Sequence, residues 1–155
     1  MRINILAILA LLLLSATPTL ANWWSEPVIF EATYYADQNP DVREQIGYDK
    51  AKLIQQWGKF GLKEGRRSSP VFDVKYYLKQ NPDIANAVGK NNYAKAADHW
   101  YKNGRKEGRS SHPDFDVKRY LKLNQDVARK YGQHNYLQAI DHYLTIGYQQ
   151  GRKGK

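Results

Sequence analysis

The chain contains no cysteine, so disulfides contribute nothing to its stability and no thiolate is available as a metal ligand. It has no Asn-x-Ser/Thr acceptor for a glycan. Beyond the first 21 residues, no stretch is apolar enough to span a bilayer. Its four histidines, His99, His112, His134 and His142, show no zinc-type spacing. Ser68, Ser69, Ser110 and Ser111 lie in links between periodic segments, without the strand–turn–helix setting of a nucleophile elbow. Most of the acidic residues return at regular intervals, which suits a structural duty better than a unique active site. No catalytic residue, metal site or cofactor is therefore assigned.

Aromatic residues are abundant instead: twelve Tyr, four Trp and four Phe. Aromatic side chains bury the largest area per residue, so packing supplies the stability that disulfides do not. The chain opens with Arg2, an apolar run from Ile5 to Leu14 and the small-x-small sequence Thr19-Leu20-Ala21. This is the form of a secretory signal peptide over residues 1–21, and it predicts an exported protein, extracellular or periplasmic. Retention of the segment as a membrane anchor is the competing reading, but the apolar run is short for a span. With residues 1–21 cleaved, no transmembrane segment is left.

Charge is lopsided. Lys and Arg outnumber Asp and Glu by 24 to 15, a formal net charge of +9. A basic exported chain is drawn to acidic polysaccharide, lipid headgroups, a mineral face or nucleic acid outside the cell. Nucleic acid fits the charge but not the export signal.

Self-comparison organises the rest. Residues 30–40 read FEATYYADQNP, 72–82 read FDVKYYLKQNP and 115–125 read FDVKRYLKLNQ. The second halves align as QQWGKFGLKEGR, DHWYKNGRKEGR and DHYLTIGYQQGR, ending at Arg66, Arg109 and Arg152. The chain is thus three copies of one unit, 30–71, 72–114 and 115–155, behind a less regular lead over 22–29. Each copy reads as helical. Asp73 caps a first helix, with Phe72 and Tyr77 spaced as a hydrophobic staple, and Val74, Tyr77 and Leu78 form its apolar face. Lys75 and Lys79 fall outside that face. Asn81-Pro82-Asp83 starts a short second helix, with Asn81 in the N-cap place. Gln125 replaces Pro82 in the third copy, which predicts a looser start there. A third, core helix carries Tyr93, Ala96, Ala97 and Trp100, and is expected to stop at Gly104 in a left-handed C′ turn, with Gly108 marking a second turn. The fold class is all-α: three tandem copies of a unit with two longer helices and one short one, stacked as a short array that shares one core. That core is expected to hold Phe30, Tyr35, Trp57, Phe72, Tyr77, Leu78, Trp100, Phe115, Tyr120, Leu121, Ile140 and Tyr143.

The order Phe-Asp, Tyr-Leu, Asn-Pro-Asp-Val/Ile, His-Tyr/Trp, Gly, Glu-Gly-Arg resembles a short helical repeat of bacterial secreted and surface proteins. There it accompanies hemolysin-type calcium-binding repeats or glycosyltransferase domains. The resemblance covers residues 30–152 and implies a non-catalytic helical module. The glycine- and aspartate-rich nonapeptides of the calcium-binding neighbours are absent, so no calcium site is implied.

Two sets of candidate residues remain. Arg66, Arg109 and Arg152 recur in step with Asp41, Asp83 and Asp126, which predicts a partly buried Arg–Asp pair in each copy, with guanidinium and carboxylate matched as a fork. Asp98-His99 and Asp141-His142 look like catalytic fragments, but adjacent helical residues point about 100° apart, so neither aspartate orients its own histidine. Copy one carries Gln55-Gln56 there, and the histidines read as packing side chains whose polar tip finds a hydrogen bond. The second set is a gradient of charge: +1, +3 and +5 along the three copies. The excess at the basic end includes Lys118, Arg119, Lys122, Arg129, Lys130, Lys153 and Lys155. These are the candidate contacts to an anionic polysaccharide or surface, or to an envelope protein. The competing functional class is a small secreted enzyme acting on cell wall or other polysaccharide.

Overall fold

A computed structural model describes residues 22–155. The expected signal peptide lies outside the described residues. Among the described residues, nine α-helices form three sets. Copy one contains α1 (Ala32–Gln38), α2 (Pro40–Ile46) and α3 (50–64). Copy two contains α4 (Val74–Gln80), α5 (Pro82–Val88) and α6 (93–107). Copy three contains α7 (Val117–Leu123), α8 (Gln125–Tyr131) and α9 (136–147). There is no strand among the described residues, only isolated bridges at Ser69–Phe72 and His112–Phe115.

The first helix of each copy begins as its sequence requires. Asp73 accepts from the Lys75 and Tyr76 N–H groups, Asp116 from Arg119, and Glu31 from Thr33 and Tyr34. These side chains satisfy amides that the helix leaves free. The staple rings meet with centroids 5.3 Å apart for Phe30–Tyr35 and 5.8 Å for Phe72–Tyr77 and Phe115–Tyr120. The first two helices of every copy are equally short, seven residues each, so the unit has two short helices and one long one rather than the expected two longer and one short, and α8 forms at full length without a proline.

The third helix differs from expectation. It runs through Gly61 and Gly104 instead of stopping there, and only in copy three does it end at the matching Gly147. Those glycines are right-handed, with φ −55° at Gly61 and −56° at Gly104, and each closes a π-turn: Trp57–Gly61, Trp100–Gly104 and Tyr143–Gly147. The left-handed turn comes four residues later, at Gly65, Gly108 and Gly151, with φ near 63°. The reason for glycine in the π-turn is a close approach. A Cβ on Gly104 would lie 2.6 Å from the Tyr77 hydroxyl and 2.9 Å from the Trp100 ring, and Tyr35 and Tyr120 crowd Gly61 and Gly147 in the same way. Gly104→Ala is therefore expected to destabilise, because overpacking of about 2 kcal/mol outweighs about 1 kcal/mol of gained helix propensity. A denaturant midpoint unchanged or raised would refute this.

Each copy closes on itself. The Glu31 N–H donates to the Ser68 carbonyl, Asp73 to Ser111 and Asp116 to Gly154. The Ser68 and Ser111 hydroxyls donate back to Ile29 and Val71. Neighbouring copies meet where the end of one long helix abuts the start of the next, with Tyr93 laid on Gly65 and Tyr136 on Gly108. A single buried cluster runs through all three copies and includes every residue expected in the core. The array curls, so that Tyr34 of copy one meets His112 and Tyr148, 6.4 and 6.5 Å between ring centroids. The lead packs down as well. Trp23 lies against Tyr101, the Trp24 carbonyl accepts from Trp57 Nε1 at 2.8 Å, and Glu26 accepts from the Tyr101 hydroxyl at 2.6 Å.

Candidate functional site

The recurring arginines lie beside the recurring aspartates of their own copies. Arg66 Nη1 is 2.8 Å from Asp41, Arg109 Nη1 is 2.7 Å from Asp83 and Arg152 Nη1 is 2.7 Å from Asp126. The donated hydrogen bond holds each carboxyl below the usual aspartate range. The geometry is not the expected fork on one carboxylate. Nη1 serves the aspartate, while Nε turns to Glu64, Glu107 or Gln150. The pair is partly buried through the arginine alone: the arginines are about a quarter exposed, the aspartates more than half.

The most buried member of this assembly is an asparagine, buried in copies one and two and half-buried in copy three. Asn39, Asn81 and Asn124 stand where an N-cap belongs, yet none caps its helix through its side chain. Asn81 Nδ2 instead donates to the Tyr77 carbonyl at 2.8 Å and the Ser110 carbonyl at 3.0 Å, and Oδ1 accepts from Arg109 Nη1 at 3.3 Å. Asn39 and Asn124 do the same within their copies. The side chain thus ties the first helix to the segment that closes the copy, and the arginine arches over it.

His99 and His142 hold the copies from another side. Nδ1 of each pairs with the hydroxyl of Tyr77 or Tyr120 at 2.8 Å, the same hydroxyls that touch the π-turn glycines. In copy one Gln56 accepts from Tyr35 in their place. Among the described residues, no three His, Asp or Glu side chains are placed to hold a metal ion. No described helix is long and apolar enough to cross a membrane.

The basic candidates of copy three do not form one patch. Lys118 and Lys122, one turn apart on α7, line a shallow hollow with Gln133, His134 and Tyr136, and the Lys118 ammonium lies 5.7 Å from the Tyr136 ring centroid. Arg119, Arg129, Lys130 and Lys153 are exposed. Lys130 covers its neighbour Tyr131 at 4.9 Å, and Lys155 reaches back to the Tyr76 hydroxyl of copy two at 3.1 Å.

The same hollow is larger in copy two, where the charge gradient did not point. A groove of about 550 Å³ has Leu78, Pro82 and Ala85 as its floor, Tyr93 as a wall and Lys75, Lys79 and Lys90 at its rim. Lys75 Nζ sits 5.5 Å from the Tyr93 centroid. A second, polar hollow of about 410 Å³ adjoins it, and Lys75 and Lys79 line both. The sequence signal was present: Lys75 and Lys79 of α4 match Lys118 and Lys122 of α7 at an interval of 43 residues. Copy one breaks the pattern. Asp37 occupies the place of Lys79 and Arg43 that of Ala85. Arg43 spans the corresponding gap to Asp37 at 3.4 Å, and the Tyr48 hydroxyl joins it at 2.6 Å. Comparison with protein-family models, with curated proteins and with solved structures gave no match.

Proposed function

We propose that the protein is an exported, non-catalytic binding module that contacts an anionic extracellular polymer or surface through copies two and three. One observation carries this reading. Lys75 with Lys79, and Lys118 with Lys122, project one turn apart from equivalent helices beside an aromatic ring, and none of the four has a carboxylate within ion-pair distance among the described residues. Unpaired like charges held one turn apart repel, and an external anion relieves that repulsion.

Such binding weakens with salt, because exposed charges are screened within about 8 Å at physiological ionic strength. The test is retention on heparin, alginate and anionic vesicles over a salt gradient. A variant carrying Lys118→Glu, Arg119→Glu and Lys122→Glu is expected to elute at much lower salt than one carrying Arg43→Glu, Lys50→Glu and Lys52→Glu. Equal elution of the two variants from all three supports would refute the role of the basic end.

A further inference from the structure

We infer that the groove of copy two, and the smaller hollow at the matching place in copy three, are sugar subsites for a linear polysaccharide bearing carboxylates, each holding one uronate unit against Tyr93 or Tyr136 with its carboxylate at Lys79 or Lys122. This rests on the binding reading above and narrows it from a charged face to two shaped sites.

The shape supports it. A plain electrostatic surface needs only exposed ammonium groups. Here an apolar floor, formed by Leu78 and Ala85, both buried, lies under an aromatic wall and a cationic rim. Apolar and aromatic lining with a few placed polar groups is the general make-up of a small-ligand site. The wall is firmly held: one face of Tyr93 rests on Gly65, where even a Cβ would come within 2.7 Å, and Tyr136 rests likewise on Gly108. The Tyr93 and Tyr136 ring centroids lie 5.5 and 5.7 Å from the ammonium groups of Lys75 and Lys118, on the first helix of their copies. A pyranose presents a C–H face and a carboxylate edge, and these match ring and ammonium. A phosphate or an acidic peptide uses the rim and leaves floor and wall idle.

The repetition supports it too. The lysine pair and the tyrosine recur at the same place in copy three, around a smaller hollow of about 210 Å³, so a polymer of repeated acidic units can engage both, and the second contact is made at a raised effective concentration. Copy one shows how the groove is lost, since Arg43 replaces the small floor residue and an aspartate replaces the rim lysine.

That natural difference supplies the test. The double variant Ala85→Arg and Ala128→Arg puts an arginine at the Arg43 place of both copies, without the aspartate that Arg43 pairs with. It adds two positive charges while filling the floor. Binding to polygalacturonate is measured by calorimetry, with polyglutamate as a polyanion that has no sugar ring. The variant, with its helical circular dichroism intact, is expected to bind polygalacturonate about tenfold more weakly, a loss of about 1.4 kcal/mol. Unchanged or tighter binding, as added charge alone would produce, overturns the grooves and leaves the basic-face reading standing. If that variant does not fold, the pair Lys79→Gln with Lys122→Gln takes its place against Lys59→Gln with Lys63→Gln, which removes the same charge from exposed positions outside the grooves. A larger loss for the first pair supports the subsites, and equal losses overturn them. Equal affinity of the wild-type protein for polyglutamate and polygalacturonate also overturns the sugar assignment. Absence of salt-dependent binding to any polyanion defeats both readings together.

Discussion

Asn81→Ala is expected to cost about 3 kcal/mol of stability, seen as a fall in melting temperature of roughly 10 °C. The side chain is buried and makes three hydrogen bonds at once. Truncation leaves the Ser110 carbonyl without its donor at the point where copy two closes, and a buried unpaired group costs about 1–3 kcal/mol. It also strips Arg109 of one acceptor and opens a void between α4 and the closing segment. Arg109→Ala is expected to cost less, about 1 kcal/mol, because its other partners, Asp83 and Glu107, stand in water. Asn124→Ala is expected to be milder than Asn81→Ala as well, since its bond to the Lys153 carbonyl is exposed and 3.3 Å long. A ranking with Arg109 above Asn81 would show that the ion pair, rather than the asparagine, holds the copy shut.

That ranking also marks how far the residue pattern could be read. The helices, their caps and the aromatic core follow from local spacing: Asp73 before an apolar face, Phe72 five residues ahead of Tyr77, Trp100 on the Tyr93–Ala96–Ala97 stripe. The misreadings share one cause. Asn81 before Pro82 has the local signature of an N-cap, but its side chain is claimed by a carbonyl at Ser110, 29 residues on. Gly104 after an apolar stripe has the signature of a helix stop, but the residue is small because Tyr77 of another helix approaches it. Local chemistry states which conformations are cheap, and a contact distant in sequence decides among them.

The grooves are not legible in the sequence for a different reason. Lysines outside the apolar face of a helix resemble a solvated surface, and net charge ranked copy three above copy two. Only the placement of Tyr93 across the junction with copy one turns Lys75 and Lys79 from a solvated face into the rim of a groove. The basic tail is partly spent at home, with Lys155 lying over Tyr76.

The largest effect of pH is expected at His112. The ring is buried where copies two and three join, and it faces Tyr34 of copy one. Its Nδ1 accepts from the Asp114 N–H at 3.1 Å, so the proton of the neutral ring sits on Nε2, which donates to the Tyr34 hydroxyl at 3.1 Å. Burial pushes its pKa from 6.5 down to about 4. Asp114 and Asp73 oppose that shift, and Arg67 and Lys155 add to it. A second proton would turn Nδ1 into a donor facing a donor. The unfolded chain takes up that proton below about pH 6.5 and the folded chain only near pH 4, so acid favours unfolding across this window. Above about pH 6.5 both states are neutral and the contribution is constant. At about 1.4 kcal/mol per pH unit, the full loss is about 3 kcal/mol once the pH is below 4. The aspartates titrate over part of the same range, so the comparison is made with His112→Ser. Serine is the residue at the matching position of copy one, where Ser69 Oγ accepts from the Val71 N–H. The variant is expected to be less stable than wild type at pH 7.5, having lost the ring and its bond to Tyr34, and to lose much less stability between pH 7 and pH 4. Parallel urea-derived stability curves for the two proteins over that range would show that His112 does not stay neutral in the fold.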